Sequence, residues 1–521
     1  MVLITVIFLI STNVSSIKIT KTSDNLDKNN EQMSYKKIIN EEDIDPNEDL
    51  SVTVTIKKIR AFDKLDAFSD PDFYIKLIVN GEEFKSPIWN NQKVVTPEWE
   101  KTVDVPDDKE IVNITIQLWD DDPGIDDICD IAKNDNENPN RNDLNLHYNL
   151  KTGHWSGDDL IYWPHSWYPN TDYSGYGRGS GTDDNSIYED DNDCEIWFDI
   201  TQSDTDNDGI PYWTEVNYFK TDPKIDDTGR DDDQDDVPIE WEFKWGLSRI
   251  IDHRNYTWIP YWVYDPFIYN DHKNLDPDGD SINNYEEYLT SNWFSDPFRK
   301  DIFVELDQME EGPDGEPASL LPEEAKEKIT ESFNRQNIVF HLDDGTWKNS
   351  RSDMIPFDEE TDGNWSNPNN ELFQIYREYF INNTEDSSWR IGVFHYGVVI
   401  RQSSVVNGNA FGNNAFQISA KGLDEKAKNI FTSNKDVVYA TAYMHELGHS
   451  LGLMWLGGHS DITRNNWLLG YLLWNDYKSI MNYAYMYGTA IKDFVDYSDG
   501  SNGRNDFDDW SNIDYSYFDQ W

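Results

Sequence analysis

The chain has 521 residues, too many for one ordinary hydrophobic core, so its length predicts about three domains. Its formal charge of -57, from 100 acidic against 43 basic residues, excludes nucleic acid as a partner and disfavours anionic lipid unless bound cations neutralise the surface locally. An aromatic content of 14%, with 21 Trp and 29 Tyr, excludes a disordered acidic protein, because so many rings need a packed interior.

The chain begins with an apolar run, Val2 to Ile10, followed by the small and polar Ser11-Thr12-Asn13-Val14-Ser15-Ser16. That run is too short to span a bilayer but suits a signal-peptide core. Residues 1–16 are therefore expected to be a signal peptide and the product to be secreted. Residues 17–48, rich in Lys, Asn, Asp and Glu without periodicity, read as a linker or pro-segment.

From Leu50 the pattern changes to alternation. Leu50-Ser51-Val52-Thr53-Val54-Thr55-Ile56 places apolar and hydroxyl residues on opposite faces, a strand signal. Phe73 to Val79 runs into Asn80-Gly81, a hairpin turn, and Val112 to Trp119 alternates again. Glu195 to Ile200 is a further strand. Such strands between acidic loops predict an antiparallel β-sandwich over residues 49–200. The stretch 133–193, rich in Asn, Asp, Gly and Tyr, reads as a long loop insertion. Cys129 and Cys194 flank it and could close its base as a disulfide; two buried thiols are the other reading.

Carboxylates gather in two loops of this sandwich, Asp66 with Asp72, and Asp120 with Asp122 and Asp127. Clustered carboxylates repel each other unless cations bridge them. The strings Ser69-Asp70-Pro71-Asp72-Phe73-Tyr74-Ile75 and Leu118-Trp119-Asp120-Asp121-Asp122 resemble the calcium-binding loops of a C2 domain. The resemblance covers about residues 50–200 and implies Ca2+ on those five aspartates. It further implies a calcium-dependent contact with a membrane or another surface.

Residues 201–298 hold an internal repeat. Asp204, Asp206, Asp208, Gly209, Ile210 and Glu215 match the spacing of a twelve-residue calcium loop, with oxygens at positions one, three, five and twelve and a tight turn at six. Asp231, Asp233, Asp235, Val237 and Glu242 form a second copy in chain order, with Asp236 at the turn. Asp276, Asp278, Asp280, Ile282 and Glu287 form a third, with Ser281 there. The copies resemble the calcium repeats of dockerins and thrombospondin type-3 modules, and imply a segment made rigid by Ca2+ between the sandwich and the C-terminal region.

Residues 299–521 alternate strand and helix signals. Asp301 to Leu306 reads as a strand, Pro322 to about Gln336 as a helix, Ile338 to Leu342 and Arg390 to Tyr396 as strands, and about Asp436 to Leu453 as a helix. The last helix carries His445-Glu446-Leu447-Gly448-His449. Histidines four apart share one helix face and can meet one metal ion, with Glu446 placed beside it to deprotonate water. Gly452 can end the helix and let the chain reverse. With Ser479-Ile480-Met481-Asn482-Tyr483 downstream, the pattern resembles the metzincin family of zinc endopeptidases.

The resemblance spans about residues 300–521 and implies His445 and His449 as Zn2+ ligands and Glu446 as general base. Met481 would lie in the turn beneath the metal, and Tyr483 would stabilise the oxyanion or stand as a loose fifth ligand. The chain departs from the family at the third ligand, where Trp455 stands. His459 and Asp461 are the two candidates to replace it.

The expectation is a multidomain chain: C2-like β-sandwich, calcium-loop repeat segment, and α/β metzincin-like protease domain. Its function would be that of a secreted, calcium-stabilised zinc endopeptidase acting on an extended peptide beside a sheet edge held within Gly408 to Ser419. The alternative is a catalytically degenerate, calcium-dependent surface- or lipid-binding protein.

Overall fold

A computed structural model describes residues 43–517 apart from 63–64, 67–68, 133–141, 160–174, 182–191, 253–256, 348–349, 365–366, 368, 382–384, 413, 429–433, 455–466 and 488–493. The expected signal peptide and nearly all of the linker fall outside the described residues. So do Trp455, His459 and Asp461. Among the described residues no helix is long and apolar enough to cross a membrane.

The N-terminal part is a two-sheet sandwich. One sheet pairs Ser51–Ala61 with Cys194–Gln202 and with Trp99–Asp104, all antiparallel. The other runs Glu82–Lys85, Phe73–Val79, Ile111–Asp120, Leu144–Asn149, His154–Gly157. Alternation explains the core: Val52, Val54 and Ile56 point inward until a bulge between Ile56 and Lys58 shifts the register. Ile59 and Ala61 then take the inner face. Asn80 and Gly81 both adopt positive φ, 48° and 88°, the geometry that a two-residue hairpin requires.

One expectation for this region is corrected and one alternative is decided. The stretch 133–193 is not one loop insertion, since it contributes the strands Leu144–Asn149, His154–Gly157 and Gly177–Ser180. Leu144, Leu146 and Tyr148 supply the buried face of the first. Of the two readings of Cys129 and Cys194, the structure has the buried thiols, with no disulfide between them. Backbone closes the base of the region instead: Asp130 N donates to Asn192 O at 2.9 Å and Cys194 N to Asp130 O at 2.8 Å.

The middle segment carries one hairpin, Leu247–Asp252 with Thr257–Trp262. Its helices Ile239–Gly246 and Asn284–Thr290 each follow an acidic loop. The second begins with a capping box, Asn283 accepting from Glu286 N while Glu286 reaches back to Asn283 N.

The C-terminal part is built on a mixed sheet. The central strand Asp301–Met309 pairs in parallel with Val339–Asp343 and with Phe394–Ile400, and the latter pairs in parallel with Ala415–Ser419. Gly408–Phe411 adds an antiparallel edge, so the edge strand is the first part of the expected segment and Ala415–Ser419 lies inside the sheet. Ile302, Val304 and Leu306 share a core with helices Glu323–Asn334 and Lys435–Ser450. Phe303 and Met309 face the opposite way, toward Trp293, Phe380 and Phe394.

Candidate metal centres

The helix Lys435–Ser450 starts at Asn434, whose side chain accepts from Val437 N at 2.9 Å. It ends at Gly452, φ +77°, where Leu453 N returns to Gly448 O at 2.8 Å. Near this end His445 and His449 face each other with ring centroids 4.9 Å apart. His445 Nδ1 donates to Ile480 O at 2.8 Å, and His449 Nδ1 to Leu453 O at 2.9 Å. Those bonds fix the tautomer that puts the lone pair on Nε2 in each ring, the form a metal ligand needs. The donor set fits zinc.

Glu446 is 5% exposed and lies against the first residue of the sheet edge. A Cβ added at Gly408 would come within 2.5 Å of its Oε1. Met481 lies beneath the helix: a Cβ at Gly448 would meet its sulfur at 2.6 Å. Met481 N donates to Ser479 Oγ at 3.0 Å, and Asn482 Nδ2 donates to the carbonyls of Trp474 and Tyr477, which fixes the turn. Tyr483 stacks on His445 at 5.4 Å between centroids. Sequence spacing anticipated this group, although it missed that Gly408 makes room for Glu446.

The three acidic loops share one geometry. Position six is left-handed in each: Gly209 at +84°, Asp236 at +76° and Ser281 at +72°. Its N–H donates to the position-one carboxylate, Asp204 at 3.1 Å, Asp231 at 3.1 Å and Asp276 at 3.0 Å. The next residue, Ile210, Val237 or Ile282, is buried and donates to the position-five carboxylate of Asp208, Asp235 or Asp280. Asp and Ser thus replace glycine without changing the turn; Asp tolerates this conformation better than most residues.

The ligand oxygens converge. Asp204 groups with Asp206 and Glu215, and Asp231 with Asp233 and Asp235. Glu215, Glu242 and Glu287 at position twelve are all buried. Glu215 Oε2, Glu242 Oε1, Asp278 Oδ2 and Glu287 Oε1 have no protein hydrogen-bond partner. Burial, then the neighbouring aspartates, push Glu242 up to about 9. Burial, opposed by a bond from Thr221, pushes Glu215 up to about 8. Buried acceptors of this kind fit a cation.

Sequence reasoning missed a further group at each loop. The position-five carboxylate also accepts from a distant backbone N–H: Asp227 to Asp208 at 3.3 Å, Asn270 to Asp235 at 3.2 Å, and Asp301 to Asp280 at 2.7 Å. These contacts bring Asp227 to the first loop, His272 to the second and Asp301 to the third. No local spacing signals them, because each arrives through a tertiary contact.

In the sandwich, Asp66, Asp120 and Asp122 come together. Burial pushes Asp120 up to about 6, opposed by the 2.6 Å bond from Asp72 N and aided by Asp66 and Asp122. Asp72 instead accepts from Asn91 N at 2.6 Å, and Asp127 is exposed at the start of the strand Asp127–Cys129. Both remain within electrostatic reach of Asp122. Beside them Lys76 lies 3.5 Å from the Trp119 ring centroid and Lys85 3.4 Å from that of Tyr74.

Residues 50–146 match the family model of the C2 domain, and the chain contains a C2 domain there. Its sheet extends past that match, since Cys194–Gln202 pairs with the first strand. Among solved structures, a C2 domain is similar over 30% of this chain and 98% of its own, at 10% identity and TM-score 0.18. A C2 domain protein from Ramazzottius varieornatus is similar over 29% of this chain and 87% of its own, at 14% identity and TM-score 0.18. Human GIVD cytosolic phospholipase A2 is similar over 30% of this chain, at 13% identity and TM-score 0.18; the match covers 16% of that chain. No curated protein matches.

Proposed function

We propose that the chain is a secreted, calcium-stabilised zinc endopeptidase. The observation that carries this reading is the grouping on one helix end: two imidazoles with Nδ1 tied to carbonyls, and a buried glutamate between them against a sheet edge. Zinc on these imidazoles and a third ligand would polarise the scissile carbonyl and acidify water. Glu446 accepts the proton of the attacking water and returns it to the leaving amine. Gly408–Phe411 offers its outer edge to an extended peptide, which would add as a further strand. The Tyr483 hydroxyl supports the oxyanion. Either His459 or Asp461 completes the ligand set.

The acidic loops would hold calcium and stiffen the path between sandwich and catalytic part. Asp66, Asp120 and Asp122 would hold calcium at the C2 loops and so bring the enzyme to an anionic membrane or another surface. The C2 match also favours a second reading, a calcium-dependent surface-binding protein whose catalytic part is inactive. Casein cleavage separates them. The enzyme loses activity to a zinc chelator and regains it with added zinc, and one of His459→Ala and Asp461→Ala loses zinc. Protein that holds no zinc and cleaves nothing favours the second reading.

A further inference from the structure

The second acidic loop differs from its neighbours in one ligand atom. In the first loop the group arriving from outside is a carboxylate, Asp227, grouped with Asp208 and Glu215. In the third it is Asp301. In the second it is an imidazole. His272 is 0% exposed, and its Nε2 lies 3.2 Å from Asp235 Oδ2 and 3.6 Å from Glu242 Oε1. Nε2 and Glu242 Oε1 both lack a hydrogen-bond partner, and both are buried. Ligands about 2.1 Å from one ion, at angles between octahedral and tetrahedral, stand roughly 3.0–3.4 Å apart, close to these spacings.

The ring cannot turn away. Trp241 meets its edge at 5.6 Å and Tyr264 at 5.1 Å between centroids. Asn284 lies 3.0 Å from Nδ1, and its Oδ1 is buried without a partner. A half-turn of that amide lets Oδ1 accept from Nδ1–H and leaves the lone pair on Nε2, the ligand form.

We propose that this loop, with Asp235, Glu242 and His272 as ligands, binds a divalent transition metal of the manganese or zinc class, whereas its neighbours bind calcium. The cause is ligand chemistry. Calcium takes oxygen donors, and an imidazole nitrogen shifts preference toward the first-row metals. The inference rests on the cation-loop part of the proposed function and is independent of catalysis.

The test uses the full chain carrying His445→Ala and His449→Ala, so that the candidate zinc site loses two ligands and no longer holds an ion. Mn2+ is added to the metal-free protein in excess calcium, and pulsed EPR reads nitrogen coupling to the bound ion. One Mn2+ per chain that survives calcium and shows imidazole nitrogen is expected. His272→Asn, which substitutes an oxygen donor, should abolish the nitrogen signal and weaken Mn2+ at least 10-fold. Melting temperature in calcium confirms that this variant is folded, and the signal of the parent chain decides if it is not. Bound calcium in all three loops with no nitrogen signal overturns the proposal and leaves the calcium reading standing. No ion in any loop overturns both.

Discussion

At the scale of the residue, the catalytic reading depends on a few atoms whose surroundings dictate their chemistry. His445 and His449 are oriented by carbonyls, so neither ring must be reordered to bind a metal. Tyr483 stacks on His445, so its removal should spare zinc content. Tyr483→Phe is expected to lower kcat about 10²–10³-fold with little change in KM, measured on a peptide substrate. Unchanged kcat would remove Tyr483 from the site. The loop carboxylates give a pH prediction. A carboxyl whose folded pKa is raised binds its proton more tightly folded than unfolded. Its stabilising effect is complete below the ordinary carboxylate range and is lost as pH rises through the folded value, about 8 for Glu215 and about 9 for Glu242. In the proposed reading a bound cation replaces those protons, and at Glu215 that cation is calcium. The gap in melting temperature between calcium and chelator should therefore widen from about pH 6 to about pH 8. A constant gap contradicts it.

At the scale of the element, the edge strand Gly408–Phe411 and the helix Lys435–Ser450 depend on each other. Gly408 opens the strand, and its missing side chain leaves the space Glu446 occupies. Gly408→Ala is expected to displace the carboxylate and lower kcat at least 10-fold while melting temperature changes little, as activity and thermal unfolding would read; wild-type activity would argue against Glu446 as base. Another element-level contact joins the sandwich to the helix Glu323–Asn334. Arg178 pairs with Glu195 at 2.7 Å and reaches Asn334, while Arg60 donates to Thr330 at 2.7 Å. Arg178 is 0% exposed. Burial would raise Glu195, but the field of Arg178, aided by Arg60 and Lys58, holds it down at about 2. Arg178→Ala removes the largest of these three partners and should cost up to about 3–5 kcal/mol in denaturant unfolding; a loss below 1 kcal/mol would mean that Arg60 and Lys58 suffice.

Legibility in the sequence follows the same scale. The His445–His449 pattern and the three acidic loops are local, and every group in each lies within a few residues of the next. Asp236 and Ser281 depart from glycine in sequence but keep the turn in the fold. Strands 144–149 and 177–180 escaped notice for physical reasons. Polar neighbours masked the alternation of Leu144, Leu146 and Tyr148. Gly177 and Gly179 carry no strand propensity, and a side chain there would run into the Phe198 ring or the Ile131 carbonyl. Asp227, His272 and Asp301 are invisible to spacing because tertiary contacts deliver them.

At the scale of the whole molecule, part of a formal charge of -57 gathers in small groups of side chains that could hold a cation. The molecule combines a C2 domain, three acidic loops of one geometry and a mixed sheet that packs against the helix Lys435–Ser450. The central claim is that Glu446 performs proton transfer at a zinc site. The most direct measurement is casein hydrolysis by wild type and Glu446→Gln, with zinc content determined on the same preparations. Equal zinc in both and a rate lower by roughly 10²–10⁴-fold in the variant are expected. Equal rates at equal zinc would contradict the central claim.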